Sequence, residues 1–259
     1  MRELLKRYAF FHWLYQLKMM FSQFIRFQPI AIIKESRWYT KDWRWYRSNF
    51  RLNPNFELRF RDRLPMIADK TSHTPLDSIY FHQDSWGVRQ IVRINPDQHV
   101  DVGSSAMTMV MVAQFIPVTM VDIRPLPYEA PGLTFQEGSI LDLPFESNSV
   151  SCISSLCVVE HIGLGRYGDP LDVWGSEKAV KELQRVVKPG GHIIFSVPVD
   201  EQNRIYFNAH RAFTPSYVDQ LFSDCTCVES KFIYRGSLKD KYEPALGYGV
   251  GLFLYQKNG

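Results

Sequence analysis

The chain has 259 residues, of which 45% are hydrophobic and 22% are charged. This balance is typical of a folded globular protein and excludes a disordered or a membrane-spanning chain. The length suits one catalytic-size α/β domain with an extension. The net charge of +3 conceals an asymmetry, because residues 1–63 carry 14 Lys and Arg against 5 Asp and Glu, whereas residues 64–259 carry 16 against 22.

Residues 1–75 are predicted to form a basic, aromatic-rich and partly helical extension. Residues 8–17 are apolar enough to resemble a signal sequence, but no small-residue cleavage pattern follows them. Lys18 and Arg26 interrupt the apolar stretch before it reaches the roughly 20 residues needed to cross a bilayer. We therefore expect a helix that either packs on the domain or lies on a membrane surface.

The charge of this extension leaves several partners open. Phospholipid headgroups, a lipid-linked phosphate and nucleic acid are all anionic, and a solvated basic face without a partner is the plain alternative. We favour peripheral contact with the inner face of a membrane over nucleic acid. Aromatic and basic residues interleave in a cluster that suits membrane interfaces, sugar stacking, nucleic acid or simple packing. Its members are Trp38, Tyr39, Lys41, Trp43, Arg44, Trp45, Tyr46 and Arg47.

Residues 76–259 are predicted to form the main domain, in which strands and helices alternate. Apolar periodicity and stop signals predict helices over 76–94, 107–115 and 177–187, and a fourth helix from Thr214 and Pro215. Strands are predicted over 98–102, 118–121, 133–136, 150–156, 192–197, 227–234 and 250–255. The early strands are short apolar runs, as in a parallel sheet covered on both faces. The sequence thus predicts a doubly wound, mostly parallel sheet of seven strands.

The four cysteines give no sign of a metal site or a disulfide framework. They lie at Cys152, Cys157, Cys225 and Cys227, with no C-x-x-C pair and no histidine at zinc-like spacing. We predict that all four are reduced packing residues and that no metal is bound. Reduced cysteines suit a cytoplasmic location.

A ligand site is predicted where the first strand of the main domain ends. Gly103, Ser104 and Ser105 follow that strand, where small residues let the backbone approach a ligand closely. About 20 residues on, Asp122 ends the second strand, where a carboxylate can accept both hydroxyl protons of a ribose. Together they indicate an adenosine site, although the loop alone is also typical of a tight turn and Asp122 of an ordinary loop start.

A series of motifs over residues 98–200 resembles class I S-adenosylmethionine-dependent methyltransferases. The motifs occupy 101–105, 121–122, 138–145, 159–161 and 183–191, and their order is more specific than any one of them. Three further segments, 80–84, 160–170 and 207–211, resemble an uncharacterised methyltransferase-like family that is similar to proteins of bacterial polysaccharide biosynthesis. The resemblance implies a Rossmann-like methyltransferase fold with S-adenosyl-L-methionine as cofactor.

The resemblance also assigns cofactor-binding roles. Asp101 and Gly103 would frame the methionine moiety, Asp122 would hold the ribose, and Ser139 with Ile140 would line the adenine. The remaining predicted cofactor residues are Ser104, Ser105, Ile123, Asp142, Ser155 and Leu156. The chain departs from the family pattern in three places, since a second loop glycine is replaced by Ser105, a third by Met107, and an acid by Ser139. Asp142 either substitutes for that acid or is an ordinary loop residue.

Acceptor-side residues are expected on the loops after the fourth and fifth strands. His161 is the first choice for general base, because the ordinary histidine pKa lies near neutral pH, and Glu160 and His210 complete the predicted catalytic set. The predicted substrate-binding residues are Arg166, Tyr167, Asp169, Asn208 and Arg211. Each assignment has a structural alternative. His161 could only orient a loop, and Asn208, His210 and Arg211 could cap and close loops. Residues 163–168 could form either a flexible lid over the site or a static turn.

Three functions remain open from the sequence. The first is methyl transfer from S-adenosylmethionine to a saccharide or lipid-linked glycan in cell-envelope polysaccharide biosynthesis. The second is a catalytically degenerate binding or assembly protein with the same fold, which the missing loop glycines suggest. The third is a nucleotide-dependent oxidoreductase, disfavoured because the full G-x-G-x-x-G fingerprint is absent. The acceptor identity and the oligomeric state are not predicted.

Overall fold

The computed structural model describes residues 29–49, 51, 55–67 and 69–259. The chain divides into two compact units, residues 1–75 and residues 76–259. In the first unit, helix α1 spans Pro29–Asn49 and a 3-10 turn spans Phe60–Asp62. The helix predicted near residues 8–17 lies outside the described residues. Among the helices that are described, none combines the length and the apolar character needed to cross a membrane.

The second unit alternates strands and helices as predicted. Its helices are α2 (Ser78–Ile94), α3 (Ala106–Val112), α4 (Gly175–Val186) and α5 (Pro215–Leu221). Its strands are β1 (His99–Val102), β2 (Val118–Asp122), β3 (Leu133–Glu137), β4 (Val150–Leu156), β5 (Val187–Val199), β6 (Arg204–Tyr206), β7 (His210–Ala212), β8 (Cys225–Tyr234), β9 (Ser237–Lys239) and β10 (Gly249–Lys257). Short 3-10 turns span Val159–His161 and Pro244–Leu246.

The main sheet has eight strands in the order β3-β2-β1-β4-β5-β10-β8-β9. The first five strands in this order pair in parallel, whereas β10 is antiparallel to both β5 and β8. This confirms the predicted α/β fold with a mostly parallel sheet. The predicted number of seven strands is one too low, because β9 adds an edge strand beside β8. The small antiparallel hairpin β6–β7 was also not predicted.

Local capping explains where the helices begin and end. The Asp77 carboxylate accepts the N–H groups of Ile79 and Tyr80 and so starts α2, which ends at Asn95 in the left-handed conformation. Thr214 caps α5 ahead of Pro215, as predicted. Helix α3 is shorter than predicted, since it ends at Val112.

Two apolar layers cover the sheet, one on each face. Because side chains alternate across a strand, the neighbours Ile193 and Ile194 of β5 enter different layers. One layer packs Ile193 against Leu183 of α4, and the other packs Ile194 with Trp86 of α2. All these side chains are buried. The two layers fix the sheet between helices, so that the strand ends and their loops are left to form the site.

Candidate functional site

A cavity of about 780 Å³ opens at the carboxyl ends of β1, β2, β3 and β4. Ligands of open α/β sheets bind at this edge, where loops after neighbouring strands converge. The predicted cofactor residues that line the cavity are Gly103, Ser104, Ser105, Asp122, Ile123, Ser139, Ile140 and Leu156. The predicted acceptor-side residues that line it are His161, Tyr167 and Asp169. The fold therefore brings together residues that are up to 66 positions apart in the chain.

Asp101 is fully buried and does not line the cavity. Its carboxylate accepts the backbone N–H of Ser104 at 3.0 Å and the hydroxyl of Ser154, whose Oγ also lies 2.8 Å from His99 Nε2. Burial raises the pKa of Asp101 to about 6 and lowers the pKa of His99 to about 3. Asp101 thus acts on the site by fixing the loop after β1 through a buried hydrogen-bond network.

The loop after β1 requires its glycine and makes use of its serines. Gly103 has φ of +69°, and a Cβ atom there would lie 3.0 Å from Val158 Cγ1. Ser104 Oγ accepts the N–H of Leu156 at 2.9 Å, which ties the loop to the end of β4. Ser105 caps α3 by accepting the N–H of Thr108. The serine that replaces the expected second glycine therefore has a structural role.

Asp122 ends β2 and faces the cavity, but its carboxylate already has a partner. Its Oδ1 accepts the backbone N–H of Arg124 at 2.8 Å, and the Arg124 guanidinium nitrogens approach the two oxygens at 3.3 and 3.4 Å. Two carboxylate oxygens offer about four acceptor positions. The carboxylate can therefore accept ribose hydroxyls when the exposed Arg124 side chain moves aside.

The turn after β3 contributes two of the three residues predicted there. Ser139 Oγ accepts the N–H of Leu141 at 3.1 Å, and the buried Ile140 adds an apolar wall. Asp142 does not line the cavity, so its position does not support the predicted replacement of a missing acid. Ser155 is buried as well, and its hydroxyl donates to the carbonyl of Val102 at 3.3 Å instead of facing the cavity.

Glu160 and His161 lie side by side in the 3-10 turn after β4. Glu160 is buried, its Oε2 has no hydrogen-bond partner, and its Oε1 lies 3.6 Å from His161 Nε2. Burial raises the pKa of Glu160 to about 8, and burial lowers the pKa of His161 to about 4. At neutral pH both groups are therefore uncharged, with the proton on Glu160.

The tautomer of His161 follows from its neighbours. His161 Nδ1 lies 2.7 Å from the carbonyl oxygen of Ala209, to which only a protonated Nδ1 can donate. Nε2 then carries the lone pair and is the nitrogen able to accept a proton. His161 was chosen because the ordinary histidine pKa lies near neutrality, and burial removes that reason by lowering the pKa. His161 nevertheless keeps a lone pair on Nε2.

Asp169 organises the glycine-rich loop that borders the cavity. Its carboxylate accepts the N–H groups of Gly163 at 2.6 Å, Gly165 at 3.4 Å and Tyr167 at 3.3 Å. The ring of Tyr167 contacts the Arg124 guanidinium, with 4.6 Å from Cζ to the ring centroid. The loop is thereby linked to Asp122 through Arg124.

Arg166 also belongs to this loop, but it does not line the cavity. Its guanidinium donates to the carbonyl of Ala209 at 2.8 Å and lies 5.1 Å from the Tyr167 ring centroid. The contact with Ala209 joins the loop to the hairpin β6–β7, and the contact with Tyr167 lies within the loop. Arg166 therefore positions Tyr167, and a substrate contact would need it to leave Ala209.

The predicted cluster at 208–211 serves mainly to hold loops. The buried Arg211 donates to the carbonyls of Ile162 at 2.6 Å and Asp172 at 3.2 Å, and to the hydroxyl of Ser176 at 3.2 Å. Arg211 does not line the cavity, and its described hydrogen bonds are all with protein groups. Its position therefore supports a structural role in place of the predicted bidentate binding of substrate. Asn208 is exposed and does not line the cavity.

His210 belongs to a ring cluster beside His161. The two imidazole centroids are 6.5 Å apart, and the rings of Tyr206 and Tyr248 lie 5.1 and 5.7 Å from that of His210. The hydroxyl of Tyr248 lies 3.2 Å from His210 Nε2. Burial lowers the pKa of His210. These four rings, His161, Tyr206, His210 and Tyr248, form the ring cluster, and burial favours the neutral form of its two imidazoles.

Sequence reasoning assigned no role to several residues at the site. Tyr80, Arg124, Cys157 and Val158 line the cavity. Arg124 could have been found from its place two residues after Asp122. Tyr80 belongs to the segment 80–84, which the sequence singles out only by resemblance. Two hydrogen bonds fix this segment in the fold, because Gln83 accepts the Ser196 hydroxyl at 2.8 Å and Asp84 accepts the Thr108 hydroxyl at 2.6 Å.

Comparison with solved structures identifies the fold. The chain is similar to 1,6-didemethyltoxoflavin-N1-methyltransferase of Burkholderia thailandensis, solved with S-adenosylhomocysteine, at 16% identity and a TM-score of 0.52, covering 72% of this chain and 93% of that one. It is also similar to geranyl diphosphate methyltransferase, solved with S-adenosylmethionine, at 12% identity and a TM-score of 0.50, covering 67% and 85%. The fold is thus that of S-adenosylmethionine-dependent methyltransferases.

The same fold is found in a protein named for another reaction. The [4+2]-cyclase SpnF matches at 13% identity and a TM-score of 0.51, covering 68% of this chain and 80% of its own. Residues 145–232 match the family described as Caenorhabditis protein of unknown function, DUF268. The comparison with curated proteins gives no significant match. The description of that family names no pathway, so the link to polysaccharide biosynthesis stays a prediction, and activity must be argued from the site.

Proposed function

We propose that this protein is an S-adenosylmethionine-dependent methyltransferase. The observation that carries the proposal is the cavity itself, in which the Gly103 loop and the Asp122 carboxylate face one space at the carboxyl ends of adjacent strands. Its volume of about 780 Å³ lies in the range of small-molecule and cofactor sites. The described side chains form no cluster of three metal-ligating groups, and methyl transfer requires none.

The residues present fit the cofactor. Gly103 keeps the backbone close to the cavity, because a side chain there would meet Val158. Asp122 would accept the ribose hydroxyls, and Ile123 and Ile140 supply apolar walls for adenine. When bound, the cofactor supplies a methyl group activated by a sulfonium. The protein has only to align the acceptor, exclude water and receive a proton.

His161 is the group that would receive this proton, because the neighbouring Glu160 is already protonated at neutral pH. His161 Nε2 carries a lone pair at neutral pH because burial lowers the pKa of the ring to about 4. Such a weak base accepts a proton only as the acceptor hydroxyl loses it, and the protonated Glu160 carboxyl group lies 3.6 Å from the same nitrogen. The site therefore places a base whose lone pair is present at pH 7 beside a buried, uncharged carboxyl group.

We further propose that the acceptor is a hydroxyl group of a saccharide or a lipid-linked glycan, in cell-envelope polysaccharide biosynthesis. The ring cluster, of which His161 lines the cavity, supports this, since aromatic rings pack against sugar faces and imidazole and phenol groups exchange hydrogen bonds with hydroxyls. The pathway itself rests on the sequence resemblance alone.

Calorimetric titration with S-adenosylhomocysteine tests cofactor binding. We expect wild type to bind and Asp122→Ala to weaken binding at least tenfold, because two hydroxyls lose a charged acceptor. Asp142→Ala is the matched control, since it removes a nearby carboxylate that does not line the cavity. Absence of heat at millimolar cofactor, or equal loss in both variants, would refute the proposed site.

Transfer of a labelled methyl group tests the activity. Wild type and Glu160→Gln are incubated with labelled S-adenosylmethionine and either a cell-envelope glycan fraction or a panel of small amines. We expect label in the glycan fraction only. Cofactor binding without any transfer would favour the degenerate binding protein, and binding of NAD in place of S-adenosylhomocysteine would favour an oxidoreductase.

A further inference from the structure

Helix α1 presents a stripe of positive charge on one face. Arg37, Lys41 and Arg44 follow the i, i+4, i+7 spacing that places side chains on the same side of a helix. All three are exposed, and none forms an ion pair with a residue in the described part of the chain. Three cations at adjacent turns form a surface that attracts anions.

Exposed aromatic rings occur in the same unit as this stripe. Trp45 is 65% exposed and borders the stripe beside Arg44, whereas Tyr46 is 51% exposed and lies on the opposite side of α1. In the segment 55–67, Phe56 and Phe60 are 72% and 66% exposed. Large rings are costly to leave in water, and rings beside cations are typical of surfaces that rest at the boundary between headgroups and acyl chains.

Asp42, an acidic residue of α1 with a described side chain, is already paired. Asp42 binds Lys70 at 3.3 Å, and Lys70 Nζ also lies 4.4 Å from the centroid of the Trp38 ring. Asp42 and Lys70 therefore neutralise each other. Asp42 therefore does not compensate the positive charge of Arg37, Lys41 and Arg44.

The sequence on the amino-terminal side of α1 favours lipid over nucleic acid. In residues 8–33 the only Lys, Arg, Asp or Glu residues are Lys18 and Arg26, and the remainder is rich in Phe, Ile, Leu and Met. A nucleic-acid surface uses cations and stacking rings and gains little from aliphatic side chains. A bilayer interface uses all three.

We propose that α1 binds the surface of an anionic phospholipid bilayer. The stripe of Arg37, Lys41 and Arg44 contacts lipid phosphates, while Trp45 at its edge enters the interface. Each cation near an anionic leaflet adds to the attraction. Removal of all three cations should lower partitioning onto anionic vesicles by about two orders of magnitude.

Sedimentation of the full chain with vesicles tests this surface. The probes are vesicles of phosphatidylcholine alone and of phosphatidylcholine with 30% phosphatidylglycerol, in low salt and in 0.5 M NaCl. We expect wild type to sediment with the anionic vesicles in low salt, and the triple variant Arg37→Ala, Lys41→Ala, Arg44→Ala to stay in solution. The matched control removes three exposed lysines of the other unit, Lys181→Ala, Lys188→Ala and Lys241→Ala, and should sediment like wild type.

Two further measurements separate lipid binding from general attraction to anions. Brominated lipid should quench tryptophan fluorescence of wild type more than that of Trp45→Ala, because Trp45 enters the interface. A fluorescent 20-nucleotide RNA should bind more weakly than the vesicles. Equal sedimentation of the triple variant, no sedimentation of wild type, or RNA that displaces the protein from vesicles would overturn the proposal.

Discussion

At the scale of single residues, Arg124 competes with the ligand that Asp122 is expected to bind. The ion pair is partly exposed, with 57% of the Arg124 side chain in solvent, and such pairs contribute about 0.2–1 kcal/mol. Breaking it frees the Asp122 carboxylate before the ligand arrives. We therefore expect Arg124→Ala to bind S-adenosylhomocysteine about two- to fivefold more tightly by calorimetry. Arg89→Ala, which removes an exposed arginine of α2, should leave the Kd unchanged, and weaker binding by Arg124→Ala would mean that Arg124 contacts the ligand.

Glu160 gives the free energy of unfolding a distinctive dependence on pH. Its folded pKa of about 8 exceeds the ordinary value of 4.5, so the folded protein keeps a proton that the unfolded chain releases. Stability then falls as pH rises through this interval. The lowered pKa values of His99 and His161 act in the opposite direction, but only below 6.5, and the effect of Asp101 ends near pH 6. Of these four groups, only Glu160 changes the free energy of unfolding between pH 6.5 and 8.

Glu160→Gln should remove this loss of stability. Between pH 6.5 and 8, urea unfolding of wild type should show a decrease of up to about 1.4 kcal/mol per pH unit relative to the variant. Glu146→Gln, a change at an exposed glutamate, serves as control and should follow wild type. Parallel curves for wild type and Glu160→Gln would show that Glu160 is ionised in the folded protein.

At the scale of elements, Arg211 joins the loop after β4 to the hairpin β6–β7. Replacing it by Met leaves the Ile162 carbonyl without a donor and removes one of the hydrogen bonds of Ser176 and of the Asp172 carbonyl, and a buried polar group without a partner costs about 1–3 kcal/mol. We expect Arg211→Met to lower the free energy of unfolding by about 3 kcal/mol and to speed tryptic cleavage after Arg166. Arg204→Met, on the partner strand with an ion pair at 3.7 Å, should change stability by less than about 0.5 kcal/mol. Equal effects would contradict the role of Arg211.

The elements that the sequence predicts well are those whose side chains are buried on both faces. Strand β4 was predicted with its observed bounds, because its apolar run coincides with a run of buried positions. Strands β6 and β9 were missed, since each has three residues, almost all exposed, and so lacks an apolar signal. Sequence periodicity reports burial, and short exposed strands are held by pairing that it does not encode.

The site shows the same limit. Residues at strand ends, such as Gly103 and Asp122, could be predicted because strand order fixes where they meet. The buried role of Arg211 could not, because a charged residue in a loop resembles a ligand contact until its three partners are seen. The loss of His161 basicity likewise depends on burial by residues that are distant in the chain.

At the scale of the whole molecule, ligand binding should slow hydrogen exchange around the cavity at the ends of β1 and β2 and leave the exchange around a second cavity unchanged. A cavity of about 320 Å³, lined by residues that include Asp219, Cys225 and Tyr255, lies on β8, β10 and α5 and provides an internal reference. A ligand at 100 times its Kd adds about 2.7 kcal/mol to the folded state. For a chain of this size we expect S-adenosylhomocysteine to raise Tm by about 5–10 °C. Hydrogen exchange should slow at residues 102–106, 121–124 and 138–141, while β8 is unaffected. A higher Tm with protection at Cys225 and Tyr255 would place the ligand in the smaller cavity and contradict the assignment of the site to the ends of β1 and β2.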